Sequence, residues 1–311
     1  MQLIQKMILL ELKKYLEMNK FIDPLIPRKK KITSNLQLDD RGYPLPSVVE
    51  ISESGTCNRT CSFCPRSAPD FIDKKEFIPQ SLIEKLSTEL SEYNYQGIFL
   101  FSGFIEPLLD KNIFNLIEIV RKNLPKTKIE MVTNGDVLDE ERAKKLFKSG
   151  LNTLLISIYD GKKEAIEMEK MLVKAKIPEE MFKIRHRYLK ESEGFGITLS
   201  NRSGMMENAK YKIKSLKEPL KKPCYYPHYT FFMDYTGEVL VCSHDWGKKL
   251  IVGNIKEQKF KDIWFGKKFN FARRKLLNSD RNFSPCNKCD VDGEFMGKVH
   301  ADKWSGFLND K

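Results

Sequence analysis

The sequence predicts an α/β protein in which a parallel sheet is wrapped by helices and followed by a small cysteine-bearing module. Three observations carry this. Short runs rich in β-branched and aromatic residues alternate with amphipathic helical patterns from Ser47 to Ser200, the order that gives parallel strands joined by right-handed crossovers. Seven cysteines fall into a group of three near the start of that stretch and a group of four near the C-terminus. A Tyr235-Thr236-Gly237 turn between the apolar runs 230–234 and 238–241 marks a hairpin outside the alternating pattern.

Taken in order, the first 46 residues read as an arm. Leu3, Met7 and Leu10 recur at helical spacing, and Pro24, Pro27, Pro44 and Pro46 punctuate the lead-in. The arm is expected to be an amphipathic helix packed on the domain that follows, with a membrane-surface helix as the rival reading. The run Arg28-Lys29-Lys30-Lys31 is expected to be a solvated linker. Strands are expected at 47–52, 97–102, 128–133 and 152–157, with weaker ones at 182–188 and 197–200. Helices are expected at 81–93, 111–122, 139–148, 162–175 and 269–277. The division is 1–46 for the arm, 47–215 for the α/β core and 216–311 for the C-terminal domain.

At 311 residues the chain can bury a core without disulfide staples. An odd cysteine count with no secretion signal argues against a disulfide framework and for a cytoplasmic protein. No apolar run approaches the ~20 residues of a membrane span. The excess of 54 basic over 42 acidic residues gives a formal charge of +12. It reads as a lysine-rich solvated surface suited to an acidic protein partner, rather than as a nucleic-acid site.

Cys57, Cys61 and Cys64 stand in a C-x3-C-x2-C run. Three thiolates hold three irons of a four-iron cluster and leave the fourth iron open to a small molecule. A structural zinc site would want a fourth nearby ligand, and no His or further Cys follows within the next hundred residues.

This motif, with Phe63 at its aromatic position, resembles the cluster motif of the radical S-adenosylmethionine (SAM) superfamily. The resemblance implies a partial (β/α)6 barrel with a [4Fe-4S] cluster on the three cysteines. SAM binds the open iron and yields a 5′-deoxyadenosyl radical that abstracts substrate hydrogen. It also implies that functional residues follow the strands. Ser102-Gly103-Phe104-Ile105-Glu106-Pro107 resembles the family's Gly-Gly-Glu-Pro segment, with Glu106 on the SAM amino group and two residues inserted after Gly103. Asn134 and Ser157 end the next two strands and are the further SAM contacts expected, with Phe63 and Gly103. Arg185 or Arg187 is a partner for the SAM carboxylate, and Asn201-Arg202 a weaker one.

Cys224, Cys242, Cys286 and Cys289, with Gly237 five residues before Cys242, resemble the SPASM/twitch extension of the same enzymes. A full SPASM domain needs more cysteines, so the layout implies the shorter twitch form with one auxiliary [4Fe-4S] cluster. A zinc ribbon is the competing reading. His244 and Asp245 are expected either as a proton-accepting pair near the auxiliary cluster or as a solvent-exposed hairpin end. Tyr225, Tyr226 and His228 are expected to shield it. The resemblance to twitch-type cyclitol dehydrogenases implies oxidation or epimerisation of a sugar or cyclitol, with a flavodoxin or ferredoxin as reductant. Peptide modification, tRNA modification and a noncatalytic iron–sulfur carrier are the alternatives.

Overall fold

The computed structural model describes residues 26–68, 71–188, 199–207 and 213–308. The helical pattern through Leu3, Met7 and Leu10 lies outside them.

Strand β1 (Val48–Ser52) sits inside an eight-stranded sheet whose spatial order is 251–254, 238–240, 230–234, 48–52, 98–101, 128–133, 153–158 and 182–186, and β2 (Ser54–Gly55) pairs with β3 (Lys74–Phe77) in a separate two-stranded ribbon. Its apolar positions Val49 and Ile51 are fully buried and run beside Phe99 and Phe101 of β4 (Ile98–Phe101). Strands β5 (Lys128–Thr133), β6 (Thr153–Ile158) and β7 (Phe182–His186) continue the parallel ladder. Near-continuous apolar runs such as Leu154–Ile158 fit strands covered on both faces.

Helices α2 (Gln80–Ser91), α3 (Ile113–Asn123), α4 (Glu140–Lys148) and α5 (Lys162–Lys174) are the crossovers. Helix α2 buries Leu82, Ile83, Leu86 and Leu90, an apolar stripe at helical spacing. Each such side chain stabilises by ~1.5–3 kcal/mol relative to exposure. Asp139 starts α4 by accepting the Arg142 backbone N–H at 2.8 Å.

The sixth parallel strand is not where the sequence places it. Leu199 and Ser200 belong to no strand, and the rest of that expected element lies outside the described residues. Instead β8 (Thr230–Asp234), the first arm of the predicted hairpin, runs parallel to β1 with Ile51 opposite Met233. Its partner β9 (Glu238–Leu240) and then β10 (Ile251–Asn254) extend the same sheet antiparallel. The C-terminal hairpin is thus spliced onto the barrel edge. Short helices α6 (Tyr226–Tyr229) and α7 (Phe260–Trp264), then α8 (Lys267–Leu277) and α9 (Lys298–Leu308), pack around Phe231, Trp264 and Trp304, all fully buried.

The basic run is not a linker either. It forms α1 (Ile26–Thr33), and Arg28 makes an ion pair with the buried Glu130 of β5. A charged run reads as solvated because sequence shows its polarity and not the buried carboxylate that receives it.

Candidate active site

The C-terminal ends of the parallel strands open on a cavity of about 610 Å³. Cys57, Cys61 and Cys64 line it, and so do Phe63, Gly103, Glu106, Asn134 and Ser157. The structure therefore brings all eight of these residues to one chamber. Arg185, Arg187 and Arg202 line it too.

The cysteine loop leaves β1 and is strapped to neighbouring strand ends. Arg59, between the first two cysteines, donates to Asp136 at 2.5 and 2.7 Å and to Asp160 at 2.7 and 3.0 Å. Asn58 donates to Asp136 at 2.7 Å and accepts from Asn134 Nδ2 at 2.7 Å. Phe63 stacks on Tyr159 with ring centroids 5.7 Å apart, while the Arg59 guanidinium lies 5.3 Å from the same ring. After the third cysteine the buried Arg66 donates to the Phe104 and Gly55 carbonyls and pairs with Asp73. The straps Arg59, Asp136, Asp160 and Arg66 were not singled out from sequence, because their partners are distant in the chain.

Gly103 adopts φ +108°, and a Cβ there would lie 2.9 Å from Ser52 Cβ. The position therefore needs glycine. Glu106 is 1% exposed, and both carboxylate oxygens have protein donors. Oε1 accepts from the Thr133 hydroxyl at 2.6 Å and Leu108 N at 3.0 Å, and Oε2 accepts from Asn134 N at 2.7 Å. Burial pushes its carboxyl up to about 7 despite those donors. Ser157 accepts from Arg185 Nη1 at 3.3 Å. Asn201 turns away from the chamber. It is fully buried, donates to the Lys288 carbonyl at 2.7 Å, and its backbone N–H donates to Asp290 at 2.9 Å.

The other four cysteines meet in a second, smaller pocket. Fully buried Arg281 donates to the carbonyls of Lys222, Pro223 and Val291, tying the approach to Cys224 to the segment after Cys289. A Cβ on Gly293 would collide with Cys224 Sγ, so that glycine gives the thiol its space. Among the described residues no three His, Cys, Asp or Glu side chains converge on a single-ion point. The four cysteines line one pocket together, as ligands of a shared centre must.

His244 is not a solvated hairpin end. It lines the large cavity and the thiol pocket, 5.1 Å edge-on to Tyr226, which also lines both. Burial pushes its imidazole down to about 3, helped by Arg202 and Lys29. Asp245 serves the backbone, accepting Lys249 N at 2.9 Å and Leu250 N at 2.8 Å. His228 is fully buried, outside the residues that line the thiol pocket.

The family model for the radical SAM superfamily matches residues 51–210, and the SPASM model, an iron-sulfur cluster-binding domain, matches 224–290. The chain is a member of the radical SAM superfamily. An S-adenosyl-L-methionine-dependent 2-deoxy-scyllo-inosamine dehydrogenase from Niallia circulans is 29% identical over 244 residues, covering 78% of this chain and 92% of that protein. A probable GTP 3′,8-cyclase from Thermococcus kodakarensis is 34% identical over 127 residues, 40% of this chain and 39% of its own. Among solved structures, BtrN in complex with AdoMet and 2-DOIA superposes with a TM-score of 0.69 at 27% identity, over 82% of this chain and 97% of its own. The anSMEcpe structure with bound AdoMet, at TM-score 0.50 and 16% identity over 85% of this chain and 94% of its own, shares the fold.

A radical SAM domain followed by a SPASM domain implies SAM and [4Fe-4S] clusters. The donor sets fit: three thiols line the large chamber and four surround the small one. Burial raises every one of these free thiols above its ordinary value, Cys61 and Cys224 to about 11. Bound iron would take each as a thiolate, so loading releases protons.

Proposed function

We propose that the protein is a radical SAM dehydrogenase that oxidises a carbinol of a polyhydroxylated ring, a sugar or cyclitol, to a ketone. One observation carries the reading: Tyr226 and His244 belong to the walls of both chambers. A substrate in the large cavity is then separated from the four-thiol centre by little more than two side chains. Loss of a hydrogen atom, a proton and an electron converts a carbinol to a ketone, and the adjacent centre is placed to take the electron.

Cys57, Cys61 and Cys64 would hold the SAM-binding cluster, and Cys224, Cys242, Cys286 and Cys289 the auxiliary one. The loaded centres supply a hydrogen-abstracting 5′-deoxyadenosyl radical and an electron acceptor. The chain's own residues position the reactants. Glu106, Gly103, Asn134, Phe63 and Ser157 would seat SAM. Glu50, on β1, accepts from the Ser102 hydroxyl at 3.1 Å and lines the cavity, so the interior offers a carboxyl group for a substrate hydroxyl. Similarity to a named cyclitol dehydrogenase over most of its length supports the same class. The division into 1–46, 47–215 and 216–311 is kept as the functional one. We place the protein in the cytoplasm, where seven free cysteines stay reduced, with a flavodoxin or ferredoxin as electron donor.

The test is anaerobic reconstitution followed by turnover of ring-deuterated polyols. The expected result is iron for two four-iron clusters, deuterium in 5′-deoxyadenosine and a ketone product. Deuterium transfer with an epimer as product would replace oxidation by epimerisation. No SAM cleavage under strong reductant would leave an iron–sulfur carrier.

A further inference from the structure

Asn201 belongs to the segment matched by the radical SAM model, and Lys288, Cys289 and Asp290 belong to the segment matched by the SPASM model. The two segments meet through one side chain. Asn201 Nδ2 donates to the Lys288 carbonyl at 2.7 Å, and its Oδ1 accepts the Asp290 N–H at 3.3 Å. A single amide thus grips the chain on both sides of Cys289. The Asn201 backbone N–H adds a third hold, 2.9 Å from each oxygen of the Asp290 carboxylate. Asn201 is fully buried, so these contacts act in a low-dielectric interior.

The residues after Asn201 bend toward the same place. Arg202, Ser203 and Gly204 have φ of +48°, +56° and +84°. Non-glycine residues rarely take this left-handed form, and surrounding contacts must hold it. Asn201 supplies two of them. Its Oδ1 also accepts the Gly204 N–H at 3.2 Å, and its carbonyl accepts the Met206 N–H at 2.9 Å. A Cβ on Gly204 would lie 2.9 Å from Lys288 Cβ, so the turn rests on the residue before Cys289. Ser203, inside that turn, lines the four-thiol pocket with Cys289. Burial raises the Cys289 thiol, while the Val291 backbone and the Ser203 hydroxyl hydrogen-bond its sulfur and work the other way. Arg281, in the same wall, is committed to the three carbonyls described above.

A Cys289 thiolate on iron can only accept, so the hydroxyl donates to it. A donor to a cluster sulfur stabilises the reduced state, which carries the extra negative charge, and raises the reduction potential. We propose that Asn201 is a positioning residue for the auxiliary centre: it holds Cys289 against the Ser203 hydroxyl and so raises that centre's reduction potential. This requires a cluster at the four thiols and no particular substrate.

The test is a redox titration of the reconstituted full-length protein, followed by electron paramagnetic resonance. Added SAM changes the spectrum of the cluster on Cys57, Cys61 and Cys64, which separates the two signals and supplies an internal reference. Ser203→Ala and Ser203→Gly both remove the hydroxyl, and glycine suits the left-handed backbone. Both should leave the auxiliary centre about tenfold less reduced at a fixed poise, a potential lower by about 59 mV for one electron. Asn201→Ser, too short to span both peptide groups, should shift it the same way. Asn201→Ser combined with Ser203→Ala should go no lower than Ser203→Ala alone, because both changes remove one hydrogen bond. The SAM-bound cluster should keep its parent potential throughout. Circular dichroism and iron content report folding and loading, and the Ser203 pair tests the hydrogen bond even where Asn201→Ser loads poorly. An unchanged auxiliary potential in the Ser203 variants would overturn the proposal. Asn201 and Ser203 shifts that simply add would overturn the action of Asn201 through Ser203. These shifts without any ketone product would sink the dehydrogenase reading and leave the positioning role standing.

Discussion

The Glu106 carboxylate accepts the backbone N–H of Asn134 at 2.7 Å, so one strand's loop residue holds the turn that follows the next strand. Thr133 and Leu108 supply its other donors, and burial pushes the carboxyl up to about 7. A carboxyl raised in the folded state favours folding below its ordinary value near 4.5 and loses that contribution as pH rises through 7. Binding of the SAM ammonium calls for the ionised form. SAM affinity, read by titration at pH 6 and 8, should therefore tighten with pH in the parent. Glu106→Gln should weaken SAM binding at pH 8 by about ten- to a hundred-fold, the loss of one charge-assisted contact worth ~1.5–3 kcal/mol. An affinity that is flat with pH and unchanged in the variant would confine Glu106 to bracing the turn.

Arg59 makes the corresponding link for the cysteine loop, with Asp136 and Asp160 as its anchors. The pairs are part-exposed, so each stabilises by only ~0.2–1 kcal/mol, and the larger effect falls on cluster retention. Arg59→Ala should keep its fold by circular dichroism but lose iron to a chelator several times faster. Equal loss rates would show that the loop holds its shape without the strap.

That the cysteine triad, Phe63 and Glu106 share one chamber was legible because their signals are short: fixed spacings directly after a strand. The β-to-α alternation was legible for the same reason, as Val48–Ser52 or Lys128–Thr133 each carry their own apolar pattern. The pairing of Thr230–Asp234 with Val48–Ser52 was not, since parallel neighbours distant in sequence leave no local mark. The hairpin signal there was correct but local, and silent about the strand's second edge. Asn201 read as a ligand because polar loop residues are ambiguous until their partners, here Lys288 and Asp290, are in view. Arg28 and Lys29 were misread for a similar reason.

Separating the two thiol sets tests the proposed electron route. Cys57, Cys61 and Cys64 replaced together by Ala should remove one cluster's iron and abolish 5′-deoxyadenosine formation. Replacing Cys224, Cys242, Cys286 and Cys289 should leave SAM cleavage but stop ketone formation. If the second set takes an electron, hydrogen abstraction survives and the substrate recovers a hydrogen, seen as deuterium exchange. If it only shapes the cavity, no label moves. Ketone formation by the second variant would remove the auxiliary centre from the chemistry.

Two buried histidines, His228 of α6 and His300 of α9, are expected to make stability fall in acid. Arg273 is fully buried, with its guanidinium 4.1 Å from the Trp264 ring and 3.8 Å from the Trp304 ring. Its bonds run to the carbonyls of Pro227 and Trp264. Near this cation, both ring nitrogens of the buried His228 lack a hydrogen-bond partner, and His300 Nε2 is 2.9 Å from Ser47 Oγ. Burial first, and then Arg273, pushes His228 well down and His300 to about 4. An imidazole depressed in the folded state contributes stability above its ordinary value of 6.5 and loses it as pH falls toward the folded value. For His300 the loss is about 2 kcal/mol by pH 5. The buried carboxyls Glu53 and Glu106, raised by desolvation, work in the opposite direction over an overlapping range. The parent's own pH profile therefore mixes both effects, and the informative quantity is a difference between proteins. His300→Gln keeps a polar contact to Ser47 and cannot titrate. Its urea midpoint should fall less than the parent's between pH 7.5 and 5, and His228→Phe should act in the same direction. Parallel profiles for the parent and both variants would show that these imidazoles titrate near their ordinary value in the folded protein and that acid unfolding begins elsewhere.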